Sequence, residues 1–286
     1  KQGALGVGLY RSEFLFLARR TLPTEEEQVT IYRKLLNLMG GRPVTIRTFD
    51  LRPDKLASYA QLGSSTTRPF DWRIVLTSHP LQQLFREQVR AILRAATEGP
   101  ARILIPLVTR SEVLDFVLET LAWAKEALVR EGLDHVPNVP VGVMIEVPAA
   151  VPMVGTWAEQ VDFFALGTND LTAASMGMDR DDPIASGQLD SLHPGMLRLI
   201  HSTVSDAHQA RKPVSVCGEI AADPLGALAL VALEVDSLSV AVPQYATTRA
   251  ALTGIKPGEI ADLRPQMLRQ RTARGVRALL EGKRTN

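Results

Sequence analysis

The sequence contains a single cysteine among 286 residues, which excludes an internal disulfide framework and agrees with a reducing compartment. Lys and Arg total 32 against 31 Asp and Glu, so the charge balance gives no electrostatic case for nucleic acid or for an acidic membrane surface. No apolar run approaches the length of a membrane span, and the N-terminus shows no signal-peptide pattern. We therefore expect a cytoplasmic protein with no nucleic-acid binding and no membrane insertion.

Low-complexity linkers and internal repeats are absent from the sequence as well. A hydrophobic content of 45% over 286 residues is enough to bury a sizeable core and suits one large domain. Short β-branched runs alternate with longer helical patterns, which is typical of parallel strands joined by helices. We predict an α/β protein without a second domain.

Seven strands are predicted, and a weaker eighth over residues 69–75 falls where an eightfold series would otherwise lack one. The seven cover residues 4–10, 44–49, 103–108, 141–147, 163–166, 214–217 and 237–240. Eight parallel strands close a barrel. We predict a (β/α)8 TIM barrel over residues 1–256, followed by a C-terminal helical extension of the same domain over residues 257–286.

Two helix starts carry the pattern of a capping box, in which a threonine and a glutamate three residues later each bond the other's backbone. The pairs are Thr24 with Glu27 and Thr109 with Glu112. After the second box, an apolar stripe recurs at helical spacing, which predicts a helix on the outside of the barrel.

Two carboxylates stand at the ends of apolar runs. Glu146 ends the run at 141–147, and Asp170 follows the run at 163–166 in the pair Asn169-Asp170. Parallel barrels build their active sites at the C-terminal ends of strands. An acid there needs a partner or a metal, and Mg²⁺ favours a few carboxylates plus substrate oxygens. The alternative for Asn169-Asp170 is an ordinary helix cap.

Two arginines occupy the ends of the first two predicted strands. Arg11 and Arg47 are costly to bury unless each pairs with an anion or a carboxylate, because a guanidinium does not lose its proton. Pairing of Arg11 with Glu13, and of Arg47 with Asp50, is the commoner arrangement for each arginine taken singly. Two such arginines on successive strands favour a bound phosphate.

Further candidates are weaker when taken alone. Arg73 lies on the weak eighth strand, and Arg180 lies in a polar loop where a solvated side chain is the simpler interpretation. Cys217 ends a strand: it is either an inert small hydrophobe or, as a thiol with an unperturbed pKa of about 8.5, a proton donor to a developing carbanion. His193 and His208 are interpreted as structural.

Seven segments along most of the chain together form a recognisable set of motifs. They are Gly6-Val-Gly-Leu-Tyr-Arg11-Ser-Glu-Phe-Leu-Phe16, Leu22-Pro-Thr-Glu-Glu-Glu-Gln28, Arg47-Thr-Phe-Asp50, Gly142-Val-Met-Ile-Glu146-Val-Pro-Ala-Ala150, Gly167-Thr-Asn-Asp-Leu-Thr172, Asp179-Arg180 and Cys217-Gly-Glu219. This set resembles the phosphoenolpyruvate-binding domain of phosphoenolpyruvate-protein phosphotransferase, enzyme I, and several segments are most similar to its nitrogen-regulatory branch. The related dikinases and phosphoenolpyruvate synthases share the Asn-Asp and Cys-Gly motifs.

The resemblance implies a barrel of the phosphoenolpyruvate/pyruvate type in which Glu146 and Asp170 hold Mg²⁺. Asn169 would help to seat the substrate, and Cys217 would protonate the enolate to pyruvate. The phosphoryl group and carboxylate of phosphoenolpyruvate would be bound by Arg11, Arg47, Arg73 and Arg180, with Lys55 as a further ligand.

The family's phosphoryl-accepting histidine lies in a separate N-terminal domain, whose Thr-Ser-His-type motif does not occur in this sequence. The chain also opens directly on the first strand, as a fragment would, and we expect it to bind the substrate without transferring phosphate. The resemblance further implies a phosphocarrier partner of the HPr type, reached through that N-terminal domain, and a homodimer.

The sequence departs from the family pattern in four places. Arg52-Pro53 replaces a diglycine, Ala173 replaces a glutamine, the glycine before Trp72-Arg73 is missing, and Leu76 replaces an arginine. Two alternatives therefore stay open. One is a degenerate phosphoenolpyruvate-binding regulatory module with little turnover, and the other is an unrelated Mg²⁺-dependent pyruvate-forming lyase on the same barrel.

Overall fold

The computed structural model describes residues 3–17, 22–50, 72–178, 189–253 and 257–284. The chain divides into two compact units, Gly3–Val143 and Met144–Asn286. The boundary between them falls within a strand, Val141–Ile145. Within the described ranges, no helix is both long enough and apolar enough to cross a membrane.

The first unit alternates strands and helices. Its elements in chain order are β1 Val7–Arg11, α1 Glu13–Leu17, α2 Glu25–Met39, β2 Val44–Arg47, α3 Trp72–Thr77, α4 His79–Ala95, β3 Ala101–Ile105, α5 Ser111–Arg130 and the start of β4 Val141–Ile145. Neighbouring strands are parallel and follow the order of the chain. Arg11 pairs with Arg47 in the register of β1 and β2, so the two arginines stand side by side at the strand ends.

Helix α4 is the most deeply buried helix of this unit and packs against α2 and α5. Arg90 donates to Glu25 at 2.6 Å and to Glu131 at 2.6 Å, so its guanidinium joins the starts and ends of neighbouring helices. The hydrogen bond from Arg90 lowers the pKa of the Glu131 carboxyl. These ion pairs fix the rotation of α4. The side chain of Gln88, on the same helix, is fully buried.

The second unit contains the remaining strands and the helices that follow α5. Its elements are the end of β4, α6 Val154–Trp157, β5 Phe163–Leu166, α7 Thr168–Ser175, α8 Pro194–Gln209, β6 Val214–Val216, α9 Pro224–Ala232, β7 Ser237–Leu238, α10 Tyr245–Leu252, α11 Pro257–Leu268 and α12 Ala273–Arg284. The pairings β5 with β6 and β6 with β7 are parallel. All four residues of β5 are buried.

All seven main predicted strands are confirmed, and their order follows the chain. The weak eighth strand is wrong over residues 72–75, which belong to helix α3; residues 69–71 lie outside the described residues. Trp72 and Val75 are both buried, and a spacing of three puts them on one face of a helix but on opposite faces of a strand. The indole N–H of Trp72 donates to the carbonyl of Pro106 at 2.7 Å, which holds the helix start in place.

The first capping box is confirmed and the second is wrong. Thr24 accepts a hydrogen bond from the Glu27 backbone N–H at 3.3 Å, while the Glu27 carboxylate accepts from the Thr24 N–H at 2.9 Å. Helix α5 instead has Arg110 as its N-cap, with no side-chain cap hydrogen bond. The helix starts one residue later than a box from Thr109 requires, so the two side chains are out of register.

The C-terminal stretch is helical as predicted, in α11 and α12. The division into a barrel over 1–256 and an extension over 257–286 stays a prediction.

Candidate active site

Glu146 directly follows β4, and only 1% of its surface is exposed. The N–H of Gly167 donates to the carbonyl of Ile145 at 3.0 Å, which ties the end of β5 to the end of β4. A Cβ on Gly167 would lie 2.9 Å from Glu146 Oε2. Glycine at this position therefore lets the Glu146 carboxylate lie against the backbone from which α7 begins.

Asp170 lies in the first turn of α7 and is half-buried. A carboxylate there is favoured by the free N–H groups and the positive end of the helix dipole. Its neighbour Asn169 accepts a hydrogen bond from the Glu219 N–H at 2.8 Å. Asn169 is not the helix cap, because Gly167 occupies that position without a side-chain cap bond. The Asn169 side chain thus joins the end of β5 to the segment that follows β6.

The backbone at Gly218 lies very close to the side chains of Thr168 and Asn169. A Cβ there would stand 1.8 Å from Thr168 Oγ1 and 2.9 Å from Asn169 Oδ1. The backbone of Gly218 is extended, with φ −87°, so space and not conformation requires glycine. The Thr168 hydroxyl is buried and makes no hydrogen bond within the described part of the chain. Thr168 was not among the predicted site residues, although it lies between Gly167 and Asn169 in a segment already identified as a motif.

Cys217 is half-buried at the end of β6. Its backbone N–H and its Sγ both donate to the carbonyl of Leu166, at 3.1 Å and 3.5 Å. The thiol therefore lies beside the end of β5, two residues before Thr168.

Glu146 and Asp170, which we call the carboxylate pair, are carboxylates of the kind that Mg²⁺ binds, placed after β4 and β5. Across the described ranges, no group of three or more His, Cys, Asp or Glu side chains could hold a metal. Mg²⁺ is commonly bound by one or two carboxylates, with water and substrate oxygens in its remaining positions. The donor set suits that ion.

The first unit contains a second group of charged side chains, the arginine cluster Arg11, Arg47, Glu13 and Asp50. Glu13 Oε1 accepts from Arg11 Nε at 2.7 Å and from Arg47 Nη2 at 2.6 Å. Asp50 lies 3.0 Å from Arg47 Nη2. Both acid pairings expected for the arginines taken singly are therefore present. The bridge from Glu13 to Arg47 spans 34 residues and could not be read from local spacing.

The two arginines differ in exposure. The Arg47 side chain is 6% exposed, whereas that of Arg11 is 51% exposed. Arg11 also lies over the exposed ring of Phe14, 5.2 Å from its centroid. Burial, with a further contribution from the Glu13 charge, raises the pKa of neighbouring Tyr10. Arg47 is therefore a buried cation held in ion pairs, and Arg11 is the more exposed of the two arginines.

We expect Glu13→Ala to lower the free energy of unfolding by about 1.5–3 kcal/mol, because the buried Arg47 loses its hydrogen bond to the Glu13 carboxylate while Asp50 still balances its charge. Urea unfolding at neutral pH measures it. Glu98→Ala is the control, since Glu98 pairs with Arg33 at 3.9 Å with both side chains more than a third exposed. Such a surface pair contributes about 1 kcal/mol or less. Equal losses in the two variants would contradict the structural role of Glu13.

The remaining predicted residues are placed as follows. Arg73 falls in helix α3, and its side chain is outside what the structure describes; Lys55 and Arg180 lie outside the described residues. His193 caps α8 by accepting from the Gly195 N–H at 3.1 Å, and His208 contacts Asp236 at 2.9 Å, which agrees with structural roles for both.

A protein-family comparison matches residues 1–256 to the phosphoenolpyruvate-binding domain of phosphoenolpyruvate-utilising enzymes. The chain belongs to this family. It is 37% identical over 274 residues to a phosphoenolpyruvate-protein phosphotransferase from Geobacillus stearothermophilus, covering 96% of this chain and 47% of that protein. It is 41% identical over 277 residues to a multiphosphoryl transfer protein from Rhodobacter capsulatus, covering 97% of this chain and 33% of that protein. The chain thus spans about half or less of the length of these relatives.

Solved structures of lower identity share the fold of this chain. A citrate lyase from Burkholderia xenovorans matches with a TM-score of 0.51 at 19% identity, covering 91% of this chain and 79% of the lyase. Malate synthase from Haloferax volcanii matches with a TM-score of 0.54 at 14% identity, covering 82% of this chain and 56% of the synthase. The predicted fold class, a parallel α/β barrel, is confirmed.

Proposed function

We propose that this chain is the phosphoenolpyruvate-binding part of a phosphoenolpyruvate-protein phosphotransferase. It binds phosphoenolpyruvate with Mg²⁺, so that the phosphoryl group passes to a histidine on a separate N-terminal domain and pyruvate is released. The observation that carries the proposal is the placement of Glu146 and Asn169-Asp170 at the ends of adjoining strands, in a chain that belongs to the phosphoenolpyruvate-binding family.

In this proposal, Glu146 and Asp170 hold the Mg²⁺ and Asn169 helps to seat the substrate. A bound Mg²⁺ would stabilise negative charge on phosphoryl and enolate oxygens. Phosphoryl transfer depends chiefly on positioning and on such charge stabilisation. The side chains proposed to bind the anionic groups of phosphoenolpyruvate are Arg11, Arg47, Arg73, Arg180 and Lys55.

Arg47 supports this assignment through its rigidity. Its guanidinium is held by Glu13 and Asp50 and does not have to be ordered when a ligand arrives, which lowers the entropic cost of binding. Arg11, half-exposed beside Phe14, supplies the charge that the ligand meets first. The pairing of Arg47 with Glu13 and Asp50 is therefore compatible with a role for Arg47 in anion binding.

Cys217 is the proposed acid that converts the enolate to pyruvate by donating its thiol proton to the methylene carbon. We expect Cys217→Ser to slow deuterium exchange into the methyl group of pyruvate, in D₂O with Mg²⁺, by roughly 100-fold. The affinity for phosphoenolpyruvate should stay within about twofold of the wild-type value, because the thiol makes no contact that substrate binding needs in this proposal. Proton NMR follows the exchange, and wild-type exchange in the serine variant would remove Cys217 from the mechanism.

The partners are part of the same proposal. We infer a phosphocarrier protein of the HPr type, reached through the N-terminal domain, and a homodimeric assembly. The motif wording favours the nitrogen-regulatory branch. Phosphate transfer from the complete protein to a nitrogen-type carrier, compared with a sugar-type carrier, tests that choice.

The activity is tested by joining the chain to a histidine domain of a relative and supplying ³²P-labelled phosphoenolpyruvate with Mg²⁺. The proposal expects acid-labile phosphohistidine and an equal amount of pyruvate. If phosphoenolpyruvate binds but no phosphohistidine forms, the chain is a degenerate binding module. If pyruvate forms from a substrate that carries no phosphate, the lyase alternative is correct instead.

A further inference from the structure

Gln88, on helix α4, lies at the centre of a buried hydrogen-bond network in the first unit. Its side chain is fully buried. Its Nε2 donates to Ser12 Oγ at 2.9 Å and to Tyr32 Oη at 3.1 Å. Its Oε1 accepts the backbone N–H of Phe49 at 2.8 Å. Both amide hydrogens and the amide oxygen of one side chain are therefore engaged.

Two of these contacts fall beside the arginine cluster. Ser12 stands between Arg11 and Glu13 at the end of β1, and Phe49 comes two residues after Arg47 at the end of β2. The parallel register of β1 and β2 ends with the pair Arg11 and Arg47. The Gln88 amide thus ties the two segments together just beyond the point at which their register ends.

The third contact leads to helix α2, although the Tyr32 hydroxyl also interacts with Ser12 and its ring packs edge-on against Tyr10. Tyr32 donates to Gln28 Oε1 at 3.4 Å, and Gln28 donates to the Pro23 carbonyl at 3.3 Å, so this branch leads to the start of helix α2. Tyr32 is fully buried, and burial raises the pKa of its hydroxyl, which stays protonated as the donor. The network therefore has a cluster side, Ser12 and Phe49, and a helix side, Tyr32.

A buried amide is well suited to fixing positions. In a site from which water is excluded, every broken hydrogen bond leaves an unsatisfied group, so the network has one favourable arrangement. The Gln88 side chain comes from a helix whose rotation is fixed by the Arg90 ion pairs. Through Gln88, the ends of β1 and β2 are thereby hydrogen-bonded to a rigid helix.

We propose that Gln88 is a positioning residue, which holds Arg11 and Arg47 at the separation and orientation needed to bind the phosphoryl group of phosphoenolpyruvate. The inference rests on the proposed function, because it takes the arginines as the anion-binding groups. Gln88 itself contacts no ligand in this account. A displacement of the arginines of the order of 1 Å weakens a charged contact strongly, so removal of the amide acts on affinity.

The test separates the two sides of the network. Phosphoenolpyruvate affinity is measured by calorimetry, with and without Mg²⁺, in the wild type and in Gln88→Met, Ser12→Ala and Tyr32→Phe. We expect about a tenfold loss for Gln88→Met, a loss of about three- to tenfold for Ser12→Ala and less than a twofold change for Tyr32→Phe. Urea unfolding supplies the stability of each variant, and we expect Ser12→Ala and Tyr32→Phe to lose similar amounts, since each removes one partner of the same amide.

The ratio of affinities with and without Mg²⁺ distinguishes positioning from general damage. This ratio should stay at the wild-type value in Gln88→Met, because the carboxylate pair is untouched. The affinity for inorganic phosphate should fall by the same factor as the affinity for phosphoenolpyruvate. If Gln88→Met does not fold, Ser12→Ala against Tyr32→Phe decides. Equal affinities in those two variants overturn the inference. Absence of binding by the wild type overturns the proposed function, and the inference with it.

Discussion

Glu146→Ala should remove the Mg²⁺ dependence of phosphoenolpyruvate binding. In the presence of Mg²⁺ we expect the affinity to fall on the order of 100-fold, to the level of the metal-free wild type, because a Lewis-acid contact of several kcal/mol is lost. The side chain is 1% exposed at the end of a fully buried strand, so the change removes a buried carboxylate and not a surface charge. Calorimetric titration with and without Mg²⁺ measures the effect.

The matched control is Glu159→Ala, which removes an exposed acid from the same unit and should leave both titrations as in the wild type. Glu146→Gln separates charge from shape, since the amide keeps the volume of the side chain but is a poor magnesium ligand. A Glu146→Ala protein whose titrations still respond to Mg²⁺ as the wild type does would reject the assignment of Glu146 as a metal ligand.

Gly218→Ala should damage the site through space alone. The new methyl group would fall 1.8 Å from Thr168 Oγ1 and 2.9 Å from Asn169 Oδ1, so the turn that begins α7 must move. We expect a stability loss of about 1–3 kcal/mol, which is typical of overpacking. Because Asn169 and Asp170 share that turn, phosphoenolpyruvate affinity should fall by about tenfold or more.

Gly155→Ala is the control for this variant, because a Cβ on Gly155, an exposed position in α6, meets nothing within 4 Å. It should bind as the wild type and be as stable or slightly more stable, since alanine is the better helix former. Wild-type affinity in Gly218→Ala would show that the position of Asn169-Asp170 does not matter for binding.

The sequence predicted the strand ends better than the contacts made there. Periodicity found all seven described strands, because most of them are short, buried apolar runs, although the predicted ends differ from the observed ones by up to three residues. It misread residues 72–75, where Trp72 and Val75 pack on one helical face and a run of four residues is too short to show its period. The capping box at Thr24 was readable because it is local, and the false one at Thr109 fails by a single residue.

Long-range contacts were beyond reach of the sequence. Glu13 as the bridge between Arg11 and Arg47, and Gln88 as the link between Ser12 and Phe49, join residues 34 to 76 positions apart. Gln88 has no motif of its own and lies in an amphipathic helix where a polar residue is expected to be exposed. The glycines at 167 and 218 were visible as motif letters, but the clash that each avoids is a property of the folded chain.

The most direct test of the account is a calorimetric titration of the wild-type chain with phosphoenolpyruvate in Mg²⁺, repeated after the metal is removed by chelation. We predict one site per chain, with binding that weakens on the order of 100-fold when the metal is removed. Absence of binding in Mg²⁺, or binding of equal strength after chelation, would contradict a phosphoenolpyruvate site built around Glu146 and Asp170.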